Sequence, residues 1–502
     1  MLKNKPGHAV KLAVIAIVLG AIYFPWKAAA NQDLKAAEGK LDIVGFGATM
    51  DQRLGNDDGA AFVIHSFGDT RGSLETCGCK GKLSGGMARR VGYLDAFAER
   101  FKDIPTLLVD TGGSLSKLTT SHEMLMSYAI AQDDWMIKAY DKFKVDVINV
   151  SDREVPYLSS LTPEEGGENA GTSSILDRMI SANASSSTNS KISFRPYIIK
   201  TVQARQPGGG APKLVRIGFV GVSDNVSRDK VPVSGVTLAD PVETARKTVA
   251  AVRDKADVVV VLAHVTADVG ERIAKQTNGI DLLLVGNDEI FTPPRHIGNT
   301  LMAFTANDGT MFGEARFYRN ESGRYSVKER FVGIDTGIPE DTEATAFVAA
   351  AKAAIATQVR PLVKAQEAAM ASGSAGAHHS LDLGGYVTAP VCARCHADQY
   401  ASWVNSDHGR AATKLAPLIN VMDRRCLQCH TTDYVKGSEN NSSRSTALLN
   451  VQCEQCHGPG AQHVAKPDKS YGHVDLNACG KCHTNETSPS FSLAADLAKI
   501  KH

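Results

Sequence analysis

At 502 residues the chain is long enough for two or three domains, each burying its own core. A composition of 43% hydrophobic and 22% charged residues excludes a fibrous or low-complexity protein. The formal net charge of +1 excludes partners chosen by bulk charge, nucleic acid above all.

Residues 1–30 read as an export signal. Lys3, Lys5 and Lys11 precede an apolar run from Leu12 to Phe24, and Ala28, Ala29 and Ala30 offer a small-residue cleavage site. The run is shorter than the roughly 20 residues of a spanning helix. Cleavage is the expectation. Lys27 after Trp26 keeps an uncleaved anchor as the alternative, and only then is a membrane a partner. Either way the chain is expected in the periplasm or at the cell surface.

From residue 41 to 336 apolar strand-like runs alternate with helical stretches. The expected strands are Ala61–Phe67, Thr106–Val109, Val145–Val150, Leu214–Val222, Val258–Ala263, Leu282–Val285 and Leu301–Thr305. Between them lie helical patterns at Met87–Phe101, Glu123–Phe143, Pro241–Lys255 and Val269–Lys275. Continuous Val/Ile/Leu strands alternating with helices predict a layered α/β sandwich around buried sheets. Arg316–Tyr318 and Tyr325–Phe331, split by Asn320-Glu321-Ser322-Gly323, read as a closing hairpin. Gly166–Ser174 and the glycine-rich Gln206–Pro212 read as surface loops. Within 340–388, Ala344–Met370 is an Ala-rich helix that Pro361 should kink or divide, and Ala371–Gly385 has linker composition.

Of ten cysteines, eight fall after residue 390 and the others are Cys77 and Cys79. The eight form four motifs: Cys392-x-x-Cys395-His396, Cys426-x-x-Cys429-His430, Cys453-x-x-Cys456-His457 and Cys479-x-x-Cys482-His483. This spacing is that of covalent c-type haem attachment. Two cysteines form thioethers to the porphyrin and the adjacent histidine becomes the proximal iron ligand. Zinc ribbons also use paired cysteines, but they do not require a histidine after every pair. Residues 389–502 are therefore expected to form a mostly helical domain in which four haems replace an apolar core. Electrons would pass from iron to iron and on to redox partner proteins. The other histidines of the region are candidates for distal iron ligands: His408, His463 and His502 foremost, then His473, and His378 and His379 last.

Tyr400-x-x-Trp403-x-x-Ser406-x-His408 after the first motif, and Cys456-His457-Gly458-Pro459-Gly460-x-x-His463 around the third, resemble the tetrahaem cytochrome family typified by the electron acceptor of hydroxylamine oxidoreductase. The ending from Ser488 to His502 resembles multihaem chains with a terminal histidine ligand. The resemblance implies that the trailing histidines ligate haems of other motifs.

The α/β region, from about Val63 to Val332, resembles the calcineurin-like metallophosphoesterases, in particular 5′-nucleotidases and the thiosulfohydrolase of sulfur oxidation. The landmarks are Asp69-x-x-Gly72, Gly85–Arg89, Leu107–Gly112, Asn149–Glu154, Ser181–Asn183, Val259–His264 and Asp281–Gly286. In that family they carry a dinuclear metal site. Here Arg71 stands for a ligating histidine, and Gly113 for a bridging carboxylate. Ser151-Asp152-Arg153-Glu154 replaces Gly-Asn-His-Glu, and Gly286-Asn287-Asp288-Glu289 replaces the last histidine pair. Asp69 and His264 alone are unchanged, so no dinuclear site is expected. Arg71 and Arg153 would either give a cleft that holds a small anion, or pair with Asp152 or Glu154. Cys77-Gly78-Cys79 lies beside this cleft and resembles a Cys-Gly-Cys of related nucleotidase-like chains; it is either a redox-active catalytic pair or a structural one. The favoured function is extracytoplasmic electron transfer. The alternatives are a redox enzyme acting on a small sulfur or other anion at Cys77 and Cys79, and a metal-dependent phosphohydrolase.

Overall fold

The computed structural model describes residues 42–45, 47–77, 83–116, 123–160, 175–188, 192–224, 233, 235–286, 292–371, 385–412, 424–432, 448–474, 476–484, 487–488 and 490–500. The signal segment, Cys79, Asn287–Glu289, His378, His379 and His502 lie outside them.

In chain order the α/β region runs β1 (Ile43–Val44), α1 (Met50–Leu54), β2 (Phe62–Phe67), β3 (Thr76–Cys77), β4 (Ser84–Gly85), α2 (Met87–Arg100) and β5 (Thr106–Asp110). It continues with α3 (Glu123–Lys142), β6 (Val147–Asn149), α4 (Glu154–Ser160), β7 (Met179–Ile180), β8 (Ala184–Ser186), β9 (Tyr197–Ala204) and β10 (Lys213–Ser223). Then follow β11 (Val236–Leu238), α5 (Pro241–Arg253), β12 (Val258–His264), α6 (Ala267–Gln276), β13 (Leu282–Gly286), β14 (Arg295–Ile297) and β15 (Thr300–Phe304). The hairpin β16 (Met311–Arg319) and β17 (Tyr325–Gly333) and the helix α7 (Thr342–Ala371) complete it.

The strands form a seven-stranded sheet, β1-β17-β16-β2-β5-β6-β7, and a six-stranded sheet, β14-β15-β13-β12-β10-β9. The apolar runs explain how these stack. Along β12, Val258, Val260 and Leu262 face a core shared with Phe62, Ile64 and Val109 of the other sheet. The alternate residues Val259, Val261 and Ala263 pack on the outside with Val242, Ala245 and Val249 of α5 and Ile273 of α6. A strand buried on both faces has no polar side, so the run is continuous. The seven-stranded sheet is covered in the same way by Tyr93 and Phe97 of α2, Met136 and Tyr140 of α3 and Ala351 of α7. Four layers result, helix–sheet–sheet–helix. Local signals set the helix starts: Asp240 caps α5 by accepting from the Glu243 amide at 2.7 Å, with Pro241 in the first turn.

Two points refine the expectation. Of the two outcomes expected at Pro361, a kink or a division, the helix is not divided and runs as one element from Thr342 to Ala371. Pro361 is exposed, so the carbonyl deprived of its amide partner faces water, while Ile355 and Val359 keep the helix docked against Ala131 of α3. The second concerns β9, which the reading overlooked. It pairs antiparallel with β10 from Tyr197↔Val220 to Ala204↔Lys213, and the glycine-rich Gln206–Pro212 is the connection between them.

After residue 385 the elements are short: α8 (Ala389–Cys392), α9 (Ala397–Val404), α10 (Arg424–His430), α11 (Cys453–His457), α12 (Ala461–Ala465), a 3₁₀ turn at Leu476–Lys481, and α13 (Leu493–Ile500). Among the described residues here, the buried hydrophobic ones are Ala389, Ala411, Ala412, Leu427 and Leu448. Side chains of that size do not make a core.

Candidate functional site

Each Cys-x-x-Cys-His motif occupies one helical turn, which brings residues three and four apart onto one side. The turns close through the backbone: the His396 amide donates to the Cys392 carbonyl at 2.9 Å, and that of His483 to Cys479 at 2.9 Å. The motif histidines are oriented from behind. His430 Nδ1 meets the Ala411 carbonyl at 2.7 Å, His457 Nδ1 meets the Gly472 carbonyl at 2.9 Å, and His483 Nδ1 meets Ser488 Oγ at 3.0 Å. A carbonyl can only accept, so His430 and His457 carry a proton on Nδ1, the tautomer in which Nε2 is the nitrogen suited to a metal.

The structure brings motif and trailing histidines face to face. The rings of His396 and His463 have centroids 6.3 Å apart with planes 27° from parallel. Those of His408 and His483 are 6.1 Å apart at 51°. Two metal–imidazole bonds of about 2 Å each, plus about 1 Å from nitrogen to ring centre on either side, require a separation of about 6 Å. Both ring separations match that value. Aromatic rings back the pairs: Tyr471 stacks on His463 at 4.5 Å and Phe491 on His483 at 4.3 Å. His473 is exposed.

All eight motif cysteines are unbridged. They meet across motifs. Contact with Cys453 raises the Cys392 thiol, and contact with Cys482 raises that of Cys429. Burial first, then the charge of Cys479, raises Cys456. The first motif thus touches the third and the second touches the fourth, with the third near enough to the fourth to feel its charge.

The second candidate site lies where the strands of both sheets end. Asp69 follows β2, Gly113 follows β5, Asp152 and Arg153 follow β6, and His264 ends β12. Asp69 and Arg71 both adopt left-handed backbone, with φ of 52° and 51°. Arg71 forks onto the Asp69 carboxylate, Nε to Oδ1 and Nη2 to Oδ2, each at 2.9 Å. Arg71 thus takes a carboxylate partner, Asp69, beyond the Asp152 and Glu154 weighed in the sequence. Glu154 is instead taken up by Ser151, whose amide and hydroxyl donate at 2.7 and 2.6 Å, and by the Leu115 amide at 3.0 Å.

His264 Nε2 stands 3.6 Å from Asp69 Oδ1, and both side chains are 1% exposed. At that distance the contact is between charges rather than a hydrogen bond. Burial is the largest single influence on Asp69 and resists its ionisation, but Arg71 and His264 together outweigh it and hold the carboxyl well below its usual range. Burial likewise opposes protonation of His264, and Asp69 reverses it upward. Gly113 makes this approach possible. A Cβ there would lie 2.6 Å from both Asp69 Oδ1 and His264 Nε2. Among the described residues no three of His, Cys, Asp and Glu gather as a metal-ligand cluster. Cys77 is placed only by its backbone in β3, opposite Ser84.

A buried carboxyl that the sequence reading passed over sits behind the cleft. Asp110 accepts from the Gly112 amide at 2.7 Å and from the Tyr140 hydroxyl. Burial pushes its pKa up to about 7 against the lowering effect of both bonds. Its only sequence sign is the acid that closes an apolar strand before Gly112-Gly113.

Comparison with known proteins divides the chain in the same way. Residues 391–458 match the family "Cytochrome c554 and c-prime". Cytochrome c-554 of Nitrosomonas europaea is 28% identical over 135 residues, 20% of this chain and 57% of the relative. The 2′,3′-cyclic-nucleotide 2′-phosphodiesterase/3′-nucleotidase of Salmonella typhimurium is 30% identical over 203 residues, 37% of this chain and 31% of the relative. The chain thus spans well under two thirds of either relative. The 5′-nucleotidase precursor of Thermus thermophilus, a solved structure, is similar with a TM-score of 0.46 and 20% identity, covering 60% of this chain and 59% of that one. The C-terminal match implies covalently bound c-type haem; the part before it is nucleotidase-like.

Proposed function

We propose that this is an exported electron-transfer protein that carries four covalent haems after residue 389, appended to a nucleotidase-like domain without a dinuclear centre. The observation that carries the reading is the pair of facing imidazoles, His396 with His463 and His408 with His483, at 6.3 and 6.1 Å. Bound iron porphyrin supplies one-electron redox chemistry. The chain's own part is to hold and orient. The motif cysteines would anchor the haems, His396, His430, His457 and His483 would be proximal iron ligands, and His463 and His408 would be distal ones. The Ala411 and Gly472 carbonyls fix which nitrogen of His430 and His457 is suited to that role. The thin apolar core of the region and the contacts among the thiols support haems packed in one connected row. His502 is proposed for a further distal position.

In the nucleotidase-like domain, Gly113 where a bridging carboxylate would stand and Arg71 locked on Asp69 support a cleft that recognises a small anion or partner without two metals. Mass spectrometry of the matured protein is the test. Four additions of roughly 616 Da that survive denaturation are expected, and three or fewer in fully matured protein would overturn the reading.

A further inference from the structure

Inside the third motif, between its cysteines, stands Glu454, which is 1% exposed. Burying a carboxylate is costly unless donors surround it. Here the Val387 amide donates to both oxygens at 2.9 and 3.1 Å, the Thr388 amide at 2.8 Å and the Gly460 amide at 2.8 Å. Every partner is a backbone N–H, which suits an acceptor with no proton of its own to give. Among the described residues no cation pairs with it.

Its position joins two motifs. Cys453 precedes it in the chain. The Thr388 residue that it holds accepts from Cys392 Sγ through its carbonyl at 3.7 Å. On the other side, the point where Gly460 would carry a Cβ is 3.2 Å from Glu454 Oε1 and 3.3 Å from the hydroxyl of Tyr471, the ring stacked on His463. The carboxylate therefore lies between the attachment points of the first and third motifs, beside the ligand pair of the first.

We propose that Glu454 is a positioning residue for redox potential: its fixed negative charge lowers the midpoints of the haems at the first and third motifs relative to those at the second and fourth, and so gives the row of haems a direction. The ferric state carries one more positive charge than the ferrous, and a nearby anion in a dry site favours it. At an effective dielectric constant of about 20, a unit charge on the order of 12 Å from any redox centre biases its oxidised-to-reduced ratio about tenfold, or 59 mV for one electron.

The inference rests on haem occupancy, so the test begins with full-length matured protein shown by mass to carry its haems. Redox titration followed by visible absorbance and low-temperature EPR then reads each midpoint. Glu454→Gln should raise two of the four midpoints by about tenfold in ratio, while Glu454→Asp leaves them near the parent. Gln452→Glu is the reciprocal variant: Gln452 receives the Ala389 amide at 2.7 Å in the same junction, and a second charge there should lower the same two midpoints. If Glu454→Gln does not take up haem, Gln452→Glu decides. Unchanged midpoints, or an equal shift of all four, in a haem-loaded variant would overturn the role of Glu454 while leaving the haem count standing.

Discussion

Asp110→Asn isolates the energetic consequence of burying a carboxyl behind the cleft. The Asp110 carboxyl has an ordinary pKa of 3.8, raised to about 7 in the fold, chiefly by burial. Each unit is worth about 1.4 kcal/mol, so an aspartate forced to ionise at this place destabilises the fold by about 4 kcal/mol. The sign follows from the direction. An acid with a raised folded pKa leaves stability intact below pH 3.8, and stability is lost as pH climbs through 7. Asparagine removes the titration yet keeps the contacts: its oxygen can accept from Gly112 and its amide can donate to the Tyr140 oxygen. Urea unfolding of the full chain at pH 5 and pH 8, read by far-ultraviolet circular dichroism, should therefore show the parent losing about 3 kcal/mol across the interval, the part of the loss that falls between pH 5 and 7. The variant should lose distinctly less and exceed the parent at pH 8. Parallel pH profiles for the two proteins would refute the assignment.

Replacing His463 or His408 with Met should convert one haem each, changing its low-spin spectrum and raising its potential, because thioether ligation favours the reduced iron; unchanged spectra in both would remove them as ligands. Gly113→Ala places a methyl group where Asp69 and His264 already approach, at a φ of 73°, and should cost about 2 kcal/mol by thermal unfolding. A neutral result there would mean that the two side chains part freely. Purified protein should show no manganese-dependent nucleotide hydrolysis, since an arginine paired with Asp69 cannot activate water as a metal does; activity that Asp69→Ala abolishes would restore the phosphohydrolase reading.

The layered fold was readable in the chain because its strands are buried on both faces, as at Val258–His264, where all residues are buried. β9 was not, for a matching reason. Six of its eight residues, Tyr197–Thr201 and Gln203, are partly or fully exposed and Lys200, Thr201 and Gln203 interrupt its apolar pattern, so what holds it is pairing with β10. At Pro361 the sequence left a kink and a division equally open, and the docking of Ile355 and Val359 favours an undivided helix. The haem motifs are legible since attachment needs only neighbours in one turn. Which histidine faces which was hidden, because His396 meets His463 and His408 meets His483 only after the chain returns. Glu454 and Asp110 were overlooked for a common cause: a carboxylate in a sequence does not announce its burial.

The bonds from Val387, Thr388 and Ala389 to Glu454 and Gln452 span 67, 66 and 63 positions of chain. During synthesis the first motif emerges long before the residues that clamp its approach. We expect Cys392, half-buried in the complete fold, to stay open to the attachment machinery until the third motif is out. In haem-free protein a chain ending before Gln452 should alkylate faster at Cys392 than the full chain, while Cys395, exposed in the complete fold, serves as the internal reference, so the fold itself keeps the order in which its cofactors are sealed.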